Sequence, residues 1–199
     1  MHIKSLYICI FGRIMKSIVF ILLLISAPGV YAQPEKPPSL DQSPLDISYY
    51  PANYGILKIS GKAPAMPVMR VIYSRPHVNG RIIFGGLVEY GEIWRLGANE
   101  ATEIEFFRDA KIHNKIVKKG RYTMYAIPYP GKWTLIINRE TDTWGAFKYN
   151  RTKDVLRTNI PVIQNDATED MTIYFTKANY GATMKILWEN AEVNVPINF

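Results

Sequence analysis

Cysteine is nearly missing from this chain of 199 residues: the single one, Cys9, precedes an apolar N-terminal run, and no thiol follows it. A disulfide framework and a thiol nucleophile are thereby excluded for residues 33–199. Histidine is almost as scarce, with three in all. Beyond the N-terminal run only His77 and His113 remain, neither with a second histidine at ligand spacing, and both read as solvated turn residues. The aspartates Asp41, Asp46, Asp142, Asp154, Asp166 and Asp170 are scattered. No metal site and no other cofactor is therefore expected.

Helical periodicity is also lacking: no window of a dozen residues keeps a 3.6 period free of Gly, Pro or β-branched runs. A concentrated basic stripe is missing too. The chain has 24 Lys+Arg against 17 Asp+Glu, and residues 1–32 hold Lys4, Arg13 and Lys16 with no acid, so the net charge of +7 falls to +4 without them. Acids and bases interleave through Glu103, Glu105, Arg108, Asp109 and Lys111, which argues against nucleic acid as a partner. With 48% hydrophobic residues the chain has the apolar content to bury a core, and disorder is excluded on the same ground.

What is present begins with an export signal. Met15 and Lys16 precede the unbroken apolar run Ile18 to Ile25, then Pro28-Gly29 and Val30-Tyr31-Ala32. The run is well short of the ~20 residues of a membrane span, and the pattern predicts a secretory signal over 1–32 cut after Ala32. Residues 1–14 read as an extra leader, because Met15 opens a complete signal by itself and either Met1 or Met15 could be the start. The expected location is periplasmic or extracellular, with no stable membrane span after cleavage. Pro34, Pro37, Pro38 and Pro44 then predict an extended tether over 33–46, and a single domain is expected over 47–199.

Within that domain, side chains alternate. Ile104 and Phe106 oppose Glu103 and Glu105; Trp133, Leu135 and Ile137 share a face, as do Met171, Ile173 and Phe175. Met184, Ile186 and Trp188, then Val193, Val195 and Ile197, repeat the pattern. Turn residues at His113-Asn114-Lys115, Lys119-Gly120, Pro128 to Gly131, Tyr180-Gly181 and Glu189-Asn190 separate these runs. Strands without helical crossovers pair antiparallel, and an apolar face must be covered. The expectation is an all-β fold, an antiparallel β-sandwich of roughly eight strands, with Pro196 placing the last strand at an edge. Ala52-Asn53-Tyr54-Gly55 recurs as Ala178-Asn179-Tyr180-Gly181, read as one turn used twice before an apolar strand-like stretch.

The most unusual segment is Ser74 to Thr102, where Arg75, Arg81, Glu92, Trp94, Arg95, Asn99 and Glu100 lie among five glycines. Glycines let the backbone turn tightly, while Arg and Trp can clamp a planar or anionic partner. Two readings follow: a ligand site on loops, or a lock in which Arg81 and Arg95 pair with Glu92 and Glu100. A second aromatic cluster, Trp144, Phe147 and Tyr149 around Gly145, suits a sugar or aromatic group, or else caps the end of the sandwich. Ser74 near His77 is the one nucleophile-base pairing by sequence, and no serine has an elbow context.

Ser74-Arg75-Pro76, Gly80-Arg81, Ile83 to Val88, Tyr90-Gly91, Trp94-Arg95 and Gly97 to Thr102 together form a long motif. It continues in Lys119-Gly120, Ile127-Pro128, Trp133, Trp144-Gly145, Phe147, Tyr149, Asp154-Val155, Arg157 and Trp188. Over about residues 44–198 this pattern closely resembles a bacterial family of exported proteins known as a domain of unknown function, DUF2911. The resemblance implies an exported β-rich domain and brings no activity, substrate or cofactor with it. Glu89 stands where members often have proline.

Taken together, these residues point to an exported, noncatalytic β-sandwich that binds a small molecule, a glycan or an envelope protein. The expected ligand-binding residues are Arg75, Arg81, Trp94, Arg95, Asn99, Glu100, Trp144 and Tyr149, with no catalytic residue assigned. A carboxylate-dependent hydrolase or isomerase using Glu92 or Glu100, and a purely structural envelope module joined through an edge strand, are the alternatives.

Overall fold

The computed structural model describes residues 36–199, within which Leu40–Phe199 form one compact unit. The export signal and its extra leader lie outside the described residues. Nine strands follow one another: β1 (Leu45–Tyr50), β2 (Met69–Ser74), β3 (Glu103–Phe106), β4 (Ala110–Ile112), β5 (Lys115–Val117), β6 (Gly120–Tyr129), β7 (Lys132–Asn138), β8 (Asp154–Ala178) and β9 (Gly181–Asn198). All pair antiparallel in the order β1-β2-β3-β6-β7-β8-β9-β4-β5. The all-β antiparallel fold is as the alternation predicted. It is built from one continuous sheet folded over a shared core, with β1 beginning inside the segment read as tether.

The fold-over is the work of the β8–β9 ribbon. β8 pairs with β7 as far as Pro161, then with β9 from Val162 onward. Proline lacks the N–H that a central strand needs, so it suits the residue at which a strand exchanges partners. The register slips between Gln164 and Thr168 and again before Thr172, and such irregularities bend a ribbon. The bend carries the end of β9 back to its start: a Cβ on Gly181 would lie 2.6 Å from the Ile197 carbonyl oxygen. β9 is not an edge strand, since it lies between β8 and β4, and Pro196 itself has no partner in either ladder. It sits between the stretch of β9 that pairs with β8, ending at Val193, and the stretch at Ile197 that joins β4.

Alternation translates directly into burial. Ile104, Phe106, Leu135, Ile137, Met171, Ile173, Met184, Ile186, Val193, Val195 and Ile197 are all buried in one core. Two-residue periodicity fails at Ile136, buried on the opposite face against Tyr125 and Ala101 in a second, small cluster. Among the described residues the one α-helix, α1 (Tyr54–Ile59), follows Ala52-Asn53, where a strand-like stretch was expected. Six residues are too few to show a helical period. The second copy of the repeat, by contrast, is the tight turn between β8 and β9.

Candidate functional site

The segment joining β2 to β3 covers the mouth of the core with little regular structure. Trp94 anchors it: its backbone exchanges hydrogen bonds with Ala126 of β6 at 2.8 and 2.9 Å. Its indole packs at 5.5–5.8 Å from Phe84, Trp133 and Trp188 and donates to the Gly97 carbonyl at 3.1 Å. Trp94 is thus a core residue with one edge toward the loop.

The next residues carry backbone strain. Leu96, fully buried, has φ of +57°, a left-handed conformation that costs a branched residue of order 1–3 kcal/mol and persists only where neighbours enforce it. Thr102 enforces it here. Its backbone N–H donates to the Arg95 carbonyl at 3.1 Å and its hydroxyl to the Leu96 carbonyl at 2.5 Å. On the far side the Ala98 N–H donates to Ser74 Oγ at 2.8 Å, and that hydroxyl donates in turn to the Ala98 carbonyl. Ser74 is a loop clip, and its hydroxyl is spent on backbone rather than on His77, whose ring pairs with Asp170.

This kink sends Arg95 inward and Glu100 outward. Arg95 forms no ion pair with Glu92 or Glu100, both of which are exposed, so the expected lock is absent. Arg81 is exposed and tied to the His77 and Val78 carbonyls instead. Arg95 Nε is buried with no hydrogen-bond partner among the described residues, and burial pushes the guanidinium's pKa down. The buried indole nitrogen of Trp188 is likewise without a partner. Both residues line one cavity of about 240 Å³, together with Arg81, Trp94, Leu87 and Ser43, and no Asp or Glu lines it. Sequence reading missed Trp188, since its place in an alternating strand signals core and nothing in the pattern reveals an unmatched indole N–H.

The other expected site residues separate from this cavity. Arg75 bridges strands: Nη1 reaches Asp46 at 3.1 Å, Nη2 reaches Thr172 Oγ1 at 3.1 Å, and Nε reaches the Met171 carbonyl at 3.2 Å. Asn99 donates to Asp41 at 2.8 Å, and its carbonyl accepts from the Gly145 N–H at 2.9 Å. Tyr149 turns inward, donating to Asp154 at 2.6 Å and accepting from Arg157 at 2.6 Å, with its ring against Tyr125. Burial first, then the Asp154 hydrogen bond, pushes its phenol up to about 12. Trp144, however, is 64% exposed and stacks on Phe147, 83% exposed, so this pair caps nothing.

Among the described residues no group of three His, Cys, Asp or Glu could hold a metal ion, and no helix is long and apolar enough to cross a membrane. No curated protein and no solved structure matches the chain. A family model described as "Protein of unknown function (DUF2911)" does match, over residues 58–197, which takes in the Arg95 loop, the Trp144 segment and most of the nine strands. By that match, across well over half of its length, the chain belongs to the DUF2911 family.

Proposed function

We propose that this protein is exported and that its β domain binds a small oxyanion, a short carboxylate or a phosphate, beneath the Arg75 to Glu100 segment without transforming it. One observation carries the reading: Arg95 and Trp188, each with a buried nitrogen that has no partner among the described residues, line one cavity together with Arg81 and no carboxylate residue. A buried donor left unmatched costs about 1–3 kcal/mol, and a charged one more, so an acceptor is strongly favoured there. Planar bidentate recognition of carboxylate or phosphate is what guanidinium geometry serves. The volume, about 240 Å³, lies below the ~300–1,000 Å³ of drug-sized sites, which favours a ligand of few atoms.

The lining holds Ser43 but no His, Asp or Glu that could act as its base, which supports binding over catalysis. Glu92 and Glu100, the acids an enzyme would need, are exposed outside this cavity. Export rests on the apolar run Ile18 to Ile25 and the Val30-Tyr31-Ala32 site. The test is a thermal-shift screen with phosphate, sulfate, acetate and succinate. At 100 times its Kd the right anion adds about 2.7 kcal/mol of stability, a rise of about 5–11 °C for a domain of this size. Arg95→Met should erase the rise. A rise that survives in Arg95→Met, or none with any anion, would overturn the proposal.

A further inference from the structure

Beyond the oxyanion cavity, we infer that Trp144 and Phe147 form a second, independent site, a shelf for a neutral saccharide chain. Two large aromatic side chains held this far into water are an apolar surface with no protein to cover it. Their rings lie 18° from parallel with centroids 6.0 Å apart. That spacing is too close for a flat guest to slide between them, so a ligand packs against one exposed face and the edges of the pair. The axial C–H groups of a pyranose form such an apolar face, while its hydroxyls need polar neighbours.

Those neighbours are in place. The shelf borders a cleft of about 550 Å³ that also includes Tyr125, Glu140, Asp142, Lys148 and Lys153. Three of its four charged residues are matched, Glu140 with Lys153 inside the cleft and Asp142 with Arg121 beside it, while Lys148 is exposed. A cleft with most of its charges already paired gives little advantage to an ionic ligand, yet offers many donors and acceptors to hydroxyl groups. The volume falls within the usual range of ligand sites, ~300–1,000 Å³.

The shelf is also fixed before any ligand arrives. Thr143 accepts from the Ala101 N–H at 2.9 Å, Trp144 bridges Glu100 through its backbone, and Gly145 donates to the Asn99 carbonyl at 2.9 Å. Gly145 has φ of +71°, and a Cβ there would come within 2.6 Å of the Phe147 ring. Only glycine lets Phe147 fold back over the turn and lie against Trp144. Fixing the rings in advance reduces the ordering cost of binding.

The test exploits the other three tryptophans, Trp94, Trp133 and Trp188, which are at most 6% exposed, so acrylamide quenching of the protein reports on Trp144. Cellohexaose, chitohexaose and maltohexaose are each titrated into the full protein, with AMP as the planar charged comparison. At least one hexasaccharide should shield Trp144 and AMP should not. Phe147→Ala should weaken that binding at least tenfold while leaving the melting temperature in place, and Arg95→Met should leave it unchanged, separating this site from the oxyanion cavity. No shielding by any saccharide, equal shielding by AMP, undiminished binding in Phe147→Ala, or loss in Arg95→Met would each overturn the inference.

Discussion

Replacing Arg75 by methionine removes a guanidinium while keeping the apolar stem, and the structure specifies what is lost. Three hydrogen bonds join the end of β2 to Asp46 of β1 and to Met171 and Thr172 of β8. The ion pair with Asp46 is only partly shielded, its two side chains being 34% and 39% exposed, so it contributes at the surface level of about 0–1 kcal/mol. The two bonds to β8 add about 0.5–1 kcal/mol each. Asp46 keeps the Ile47 N–H at 2.7 Å and so is not left bare. The expected loss is about 2 kcal/mol, or about 4–8 °C in melting temperature for a domain of this size. Urea melts read it directly. Arg75→Lys should recover no more than half, since an ammonium cannot span three acceptors in the guanidinium's fixed fork. A loss under about 0.5 kcal/mol in Arg75→Met would refute the assignment of Arg75 as a tie between strands.

Arg95→Met should behave oppositely in the absence of ligand: with no partner carboxylate to orphan and an unmatched buried donor removed, it should lose no more than about 1 kcal/mol of stability, where rupture of a buried pair would cost ~3–5 kcal/mol. A loss of the latter size would mean that Arg95 is a structural lock after all. Stability should fall as pH rises from about 10 to about 12, because the folded Tyr149 holds its proton up to about 12 while the unfolded phenol releases it near 10. Tyr73, Tyr122 and Tyr125, all pushed up chiefly by burial, act in the same direction. Tyr149→Phe should flatten part of that decline and, at neutral pH, cost about 1–2 kcal/mol by leaving Asp154 and Arg157 without the phenol; an unchanged alkaline profile in the variant would contradict the assignment.

The strands were legible because alternation is a backbone property: successive side chains point to opposite faces whatever lies around them. Phe106, Leu135, Ile173 and Ile186 could therefore be assigned to the core directly. Partner exchange along β8 was not legible, since register depends on what packs across the sheet, and Pro196 misled for the same reason. At the candidate site, residue types were informative and pairings were not. Arg95 and Glu100 are close in sequence, but the left-handed turn at Leu96 and the clip from Ser74 to Ala98 send them opposite ways. Trp144 and Tyr149 illustrate the same limit: both are aromatics near Gly145, yet Asp154 and Arg157 draw the phenol inward and leave the indole in water.

If an oxyanion binds beside Arg95 and Trp188, its oxygens take up the unmatched donors, and the indole N–H of Trp188 registers that event. Four tryptophans give four indole signals in a nitrogen-15 correlation spectrum. Titration with phosphate or succinate should move the Trp188 signal downfield as its N–H gains an acceptor, together with the Arg95 Nε–H signal, and the Trp188 signal should stand still in Arg95→Met. A Trp188 indole that is unmoved at saturating phosphate and succinate, or that moves equally in Arg95→Met, would contradict the proposed oxyanion site.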